Sequence, residues 1–343
     1  MLGVFIAAAL GFGALIALKV IDLGGEPAKL PDDWQRGMNL TAFLPEAYSD
    51  PKAQEALRTA KDAGTDLVAL TPTSYMANST SSQIEADPAK TPSDQSVLAV
   101  AADAHSMGLQ VAIKPHVDVV DGTFRGEIQP SDRAAWFESY GNLVDRYAAL
   151  AQQANADVFV IGTELTTMTG SDGDTEAWRA LIQRARSAFD GRITFAANWV
   201  QGAQTIDFWD DLDYVGIDAY MPLKTRNAQD PSVDALVTAW RPYVAAMKKL
   251  NEEWNKPVLF TELGYESRLG TAARINQGSA QISQEAQANA YEAAFRALSP
   301  LPWFAGIWWW EWSAERIGIG PSDGGFNPEG KQAESVLKDW QKG

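Results

Sequence analysis

The 343-residue chain has no cysteine, which excludes disulfides and thiolate metal sites, and its only histidines are His105 and His116. Two imidazoles leave too few ligands for a zinc site, so no metal is expected. Basic residues are scarce as well: 28 Lys and Arg stand against 44 Asp and Glu, a formal charge of −16. Nucleic-acid binding requires clustered cations to neutralise phosphates, and this balance argues against it. No internal repeat is legible, and low complexity is confined to residues 78–82. Apolar residues, by contrast, make up 46% of the chain, enough to fill the core of one large domain. There are also 13 Trp and 9 Tyr, whose flat apolar faces and polar tips suit sugar rings.

One long hydrophobic run is present, MLGVFIAAALGFGALIAL at residues 1–18, closed by Lys19. It is slightly shorter than the roughly 20 residues of a spanning helix, although Val20 and Ile21 extend it if Lys19 snorkels. No Lys or Arg precedes it and no small-x-small cleavage site follows. We expect a signal or membrane-anchor segment over residues 1–22, a linker over 23–33, a domain over 34–343, and an extracytoplasmic location, anchored or secreted. Oligomeric state is not legible.

From Trp34 onward, apolar runs of strand length alternate with stretches of helical period, the alternation required by a parallel sheet with crossover helices. Eight such units predict a (β/α)8 TIM barrel, with strands at 36–43, 66–73, 109–117, 157–165, 193–199, 214–220, 257–265 and 304–312. Helices are predicted at 51–63, 94–107, 132–153, 174–188, 233–254, 284–298 and 330–340, with a poorly patterned piece at 203–209. The strands stay apolar until their C-terminal ends, where His116, Glu164, Asn198, Asp218, Glu262 and Trp310 appear. In a barrel these ends converge on the face that carries the chemistry. The long loops at 74–91, 223–231 and 266–283 are placed to shape a cleft there.

Glu164 and Glu262 each end a buried-strand pattern within a Thr-Glu-Leu triplet, at the fourth and seventh strands. A single Glu there is most simply a strand-end ion pair, whereas two on facing strands call for a joint role. Period-two alternation puts Glu164 on one face with Val158, Val160 and Gly162, and Glu262 on one face with Val258 and Phe260. Two carboxylates across a barrel mouth are what cleavage of a glycosidic bond requires, and the retaining route sets them about 5–5.5 Å apart. Neither a metal nor an organic cofactor is needed.

IGTEL at 161–165, ANW at 197–199, VGIDAY at 215–220, FTELGY at 260–265 and GIWWWEW at 306–312 together resemble glycoside hydrolase family 113 of the clan A glycosidases, over residues 36–341. Thr163 stands where most of the clan has Asn before the acid/base. The resemblance implies a retaining β-mannanase acting on β-linked oligo- or polysaccharide, with Glu164 as acid/base and Glu262 as nucleophile. It further implies that Tyr220 hydrogen-bonds the nucleophile and that Trp310 forms a sugar platform, with Trp309 as the rival in that register. Asn198 and Trp199 are expected to contact a neighbouring sugar, Lys114 and His116 to reach hydroxyls from strand three, and Asp218 and Glu311 to orient other groups. Hydrolysis or transglycosylation of another β-glycan, and a catalytically silent glycan-binding barrel, are the competing functions.

Overall fold

Runs such as Val158–Thr163 and Val258–Leu263 are buried at every position, as strands covered on both faces must be. In the computed structural model, which describes residues 29–170, 172–274 and 279–342, ten strands form. They are β1 (Gln35–Thr41), β2 (Leu67–Leu70), β3 (Thr73–Met76), β4 (Gln110–Ile113), β5 (His116–Val119), β6 (Val158–Thr163), β7 (Arg192–Asn198), β8 (Val215–Asp218), β9 (Val258–Leu263) and β10 (Phe304–Ser313). Eight of them close a parallel barrel in the order β1-β2-β4-β6-β7-β8-β9-β10, with β10 returning to β1, so the expected TIM barrel is what forms. The apolar run at 1–22 lies outside the described residues. Among the described residues no helix is long and apolar enough to cross a membrane.

The helices around the barrel are α1 (Pro51–Asp62), α2 (Asp94–Ser106), α3 (Arg133–Gln153), α4 (Asp172–Ala188), the short α5 (Trp199–Ala203), α6 (Val233–Trp254), α7 (Gln284–Leu298) and α8 (Gln332–Lys342). Their starts are chemically fixed. Asp50, Ser93, Asp132, Ser232 and Ser283 each accept a first-turn amide hydrogen with the side chain, and Pro51 occupies the position where a missing N–H does no harm. Short αβ turns, such as those from α2 to β4, α3 to β6 and α6 to β9, return the chain from the helices to the barrel, and the helices bury an apolar stripe against the outer faces of the strands.

The two expected strands at 66–73 and 109–117 are each interrupted by proline. Pro72 and Pro115 have no amide hydrogen to give, so the barrel ladder stops after β2 and β4. The chain resumes as β3 and β5, a separate two-stranded parallel sheet that pairs Thr73 with His116 and stands above the barrel rim.

Inside the barrel, Leu67, Ala112, Val160, Ala196, Leu259 and Trp308 pack into a small cluster of their own. This corrects the predicted face of β9: Leu259 points inward, whereas Phe260 packs outward against Trp240 and Phe304. Between Phe260 and Glu262 the register with β8 slips by one residue, and the same slip appears against β10. The extra residue is a bulge at Thr261, and it brings Glu262 to the inner side. A matching slip occurs in β6 between Val160 and Thr163. There Gly162 turns to the outer layer, where an added Cβ would lie 2.4 Å from the Phe195 ring. Glu164 therefore reaches the mouth through a bulge and a turn, not through unbroken alternation.

Trp308 fills the barrel bore and donates its indole N–H to Gln35 Oε1 at 3.0 Å. It fits only because β1 carries glycine opposite: a Cβ on Gly37 would lie 2.0 Å from Trp308 Cδ1. We predict that Gly37→Ala destabilises the barrel by about 2–3 kcal/mol, measured by urea unfolding. A loss below about 0.5 kcal/mol would show the bore to be looser than this packing implies.

Candidate active site

At the C-terminal rim of the barrel, Glu164 and Glu262 open into one cleft of about 500 Å³ together with Asn198, Trp199, Tyr220 and Trp310. Glu164 follows the last residue of β6 and has a left-handed backbone (φ 55°), as does Trp199 (φ 61°) where β7 turns into α5. Non-glycine residues enter this region at a cost of about 1–3 kcal/mol, and the surrounding fold must impose it. For Glu164 the imposition is visible: its amide donates to Ala196 O of β7 at 2.8 Å, while the following turn is closed by Thr166 N to Glu164 O, also at 2.8 Å.

Glu262 is held from three sides. The Lys114 ammonium at the end of β4 forms an ion pair with its Oε1, Tyr220 donates its hydroxyl to Oε2 at 2.7 Å, and His116 Nε2 stands 3.4 Å from Oε1. Lys114 also bonds both oxygens of Asp218 at 3.2 Å, and Asp218 Oδ1 accepts from Thr261 Oγ1 at 2.7 Å. The imidazole of His116 stacks on Trp310, with ring centroids 5.9 Å apart and planes 18° from parallel. On the opposite wall, Arg125 reaches Glu164 Oε2 at 3.4 Å and is anchored by an ion pair to Asp118.

These contacts drive the two glutamates apart in acidity. Burial pushes the Glu164 carboxyl up to about 8, aided by the negative charge of Asp218, and Arg125 offsets only part of the effect. Burial would raise Glu262 in the same way, but the charge of Lys114 and the contact with His116 overcome it and hold Glu262 well below the usual carboxylate range. Asp218, sharing the same ammonium with Glu262, is raised to about 7 by burial and by its neighbour's charge. His116 drops to about 4, chiefly through burial and then through the charge of Arg125, so it stands neutral at pH 7. One buried acid thus keeps its proton while the other stays ionised in the same cleft, a divergence of the kind that acid–base chemistry requires. Among the described residues no group of three or more His, Asp or Glu is placed to hold a metal ion.

The sequence profile of glycoside hydrolase family 113 matches residues 43–331. The chain belongs to that family. It is therefore a glycoside hydrolase. The β-mannanase of family 113 from Alicyclobacillus acidocaldarius superposes with a TM-score of 0.79 at 28% identity, over 90% of this chain and 97% of that one. A second family 113 β-1,4-mannanase gives 0.80 at 22% identity, over 90% and 99%. The β-glucuronidase of Ruminococcus gnavus shares the barrel alone, with a TM-score of 0.60 at 13% identity over 90% of this chain and 50% of that one. No curated protein matches the sequence.

In this family 113 hydrolase, six of the eight residues singled out from sequence (Glu164, Glu262, Tyr220, Trp310, Asn198 and Trp199) line the cleft. Lys114 and His116 do not. Both are buried behind Glu262, with Lys114 wholly inaccessible, so their polar atoms face the carboxylate and not the space a sugar would occupy. Trp309 drops out as the rival of Trp310, because it packs into the shell beneath α7 and stacks on Tyr291 at 3.8 Å. Asp218 lies buried behind the cleft, bonded to Lys114 and Thr261. Glu311 is raised by burial and lies outside the cleft lining. Thr163 is buried and turns its hydroxyl to Pro115 O at 3.4 Å. Sequence reading missed Arg125, together with Phe124, Arg274 and Phe326 on the walls. All four come from loops, where no periodicity marks an inward residue.

Lys114→Met tests this electrostatic arrangement. With the ammonium gone, Glu262 and Asp218 confront each other unscreened, so the acidic limb of kcat/KM should move up by more than about one pH unit. kcat should fall about 10²-fold or more, and chemical denaturation should show a loss of about 3–5 kcal/mol. An unmoved acidic limb would show that Lys114 does not set the ionisation of Glu262.

Proposed function

We propose that this hydrolase cleaves β-1,4-mannan or manno-oligosaccharides with retention, by double displacement. The observation that carries the reading is the pair of buried carboxyls with opposite ionisation in one cleft, and the 28%-identical β-mannanase supplies the sugar. In the first step a Glu262 oxygen attacks the anomeric carbon as the bond to the leaving oxygen breaks, and Glu164 gives that oxygen its proton. In the second, Glu164, now ionised, takes a proton from water, whose oxygen displaces Glu262 and restores both groups. Tyr220 donates to the Glu262 oxygen that is not engaged by Lys114, which fixes the carboxylate's orientation for attack. Trp310, its ring backed by His116, offers an apolar face for the sugar at the site of cleavage.

Two outcomes test the mechanism. Glu262→Gly should lose about 10⁴-fold or more in turnover of an aryl β-mannoside and regain a large part with azide, which enters the space of the missing carboxylate and yields the α-glycosyl azide. Turnover without azide rescue would remove Glu262 from the reaction. In the native enzyme kcat/KM should fall as pH rises through about 8, where Glu164 loses the proton it must donate. With a dinitrophenyl mannoside, whose leaving group needs no proton, Glu164→Ala should retain the glycosylation step and lack that basic limb. A limb that survives the substitution would assign the proton to another group.

A further inference from the structure

Beyond the carboxylates, Pro222 stands at the edge of the cleft. This residue lines both the cleft and a second cavity of about 880 Å³, formed between the β8–α6 loop and the first turns of α6. The partition is a built one: Tyr243 of α6 donates its hydroxyl to Pro222 O at 2.9 Å, and Leu223 N donates to Ala272 O at 2.7 Å, tying the β8–α6 loop to the chain that carries Arg274. A second tie, Gly270 N to Gln229 O at 2.9 Å, holds the far end of the same loop.

The charge along this path runs against the rest of the protein. The chain carries 44 acidic and 28 basic groups, and most arginines of the described residues are matched to a carboxylate, such as Arg146 to Asp94, Arg184 to Asp145 and Arg316 to Glu329. Arg274 on the cleft wall, and Lys224 and Arg226 on the cavity wall, are exposed, and no carboxylate of the described residues lies within ion-pair distance of any of them. Among the described residues, the one acidic side chain on the cavity wall is Asp230. Three cations unmatched among the described residues, one on the cleft wall and two on the wall of the cavity that shares Pro222 with it, offer a complement to carboxylates in a protein with acid to spare. Arginine takes them by paired hydrogen bonds, which neutral hydroxyls satisfy less well.

We propose that the glycan leaving the catalytic cleft crosses Pro222 and is gripped beyond it by Arg274, Lys224 and Arg226, so that the preferred substrate is a β-linked glycan bearing carboxylates, uronic acids being the simplest kind. This rests on the reading of the cleft as a β-glycan hydrolase site and specifies the substrate class that the site selects. The net charge of −16 repels a polyanion at long range, so the attraction is local and falls as salt screens it.

The test compares β-1,4-linked mannohexaose with the hexamannuronate that differs from it only in carboxylates at C6. Binding is measured by calorimetry on Glu164→Gln, which keeps the shape of the cleft and slows turnover. The hexamannuronate should bind about tenfold or more tightly at low salt, and the preference should shrink at high salt. It should disappear in the same background with Arg274→Ala and Arg226→Ala added. Equal or tighter binding of mannohexaose, or a preference that survives the double substitution, would overturn the proposal. Turnover of each hexasaccharide by the native enzyme keeps the two readings apart. Cleavage of mannohexaose without an acidic preference removes this inference alone, and failure to cleave any β-glycan removes the hydrolase reading while the binding ratio still reports on the cations.

Discussion

Lys114 lies wholly inside the protein, and its ammonium is shared between Asp218 and Glu262. Charges removed from water carry a desolvation penalty of several kcal/mol each, and only close partners of opposite sign offset it. One ammonium cannot fully satisfy two carboxylates, so the pair divides unequally: Glu262, which also accepts the Tyr220 hydroxyl and has His116 beside it, remains charged, while Asp218 rises to about 7. The arrangement thereby keeps an ionised oxygen at the barrel mouth at the pH where Glu164 holds its proton. The rest of the site is organised around that imbalance. Pro115 ends the β4 ladder directly after Lys114, and the bulge at Thr261 turns Glu262 inward to meet it.

The architecture was legible because parallel barrel strands are buried on both faces and show as near-continuous apolar runs between helix-capping Ser and Asp residues. The helix predicted at 284–298 coincides with α7, and that at 233–254 with α6. The site was legible where a polar residue ended such a run, as with Glu164, Glu262, Tyr220 and Trp310. Alternation failed as a guide to facing. Phe260 and Gly162 both look inward by parity and both lie in the outer layer, since one extra residue in β9 and one in β6 reset the count. A bulge leaves no composition signal. Lys114 is misleading for a related reason: a lysine near a barrel mouth looks the same in sequence whether it faces the cleft or the carboxylate behind it.

Arg125 shows the remaining gap. It belongs to the loop after β5, 39 positions before Glu164, and only the closed barrel brings its guanidinium onto that carboxylate. Glu164, Glu262 and Trp310 thus come from strand ends, while Arg125, which acts on the acidity of Glu164, and Arg274 and the Pro222 partition on the cleft wall come from the connections between strands and helices. This division suits a fold whose barrel fixes the reaction class and whose loops choose the substrate.

The central claim is that Glu262, held ionised beside Lys114, is the oxygen that attacks the anomeric carbon. The most direct measurement is peptide mass spectrometry after incubation with a 2-deoxy-2-fluoro-β-mannosyl fluoride, which slows release of the covalent intermediate more than its formation. The account predicts a single sugar adduct on the peptide carrying Glu262. An adduct on Asp218 or Glu164, or inactivation that leaves no covalent sugar, would contradict it.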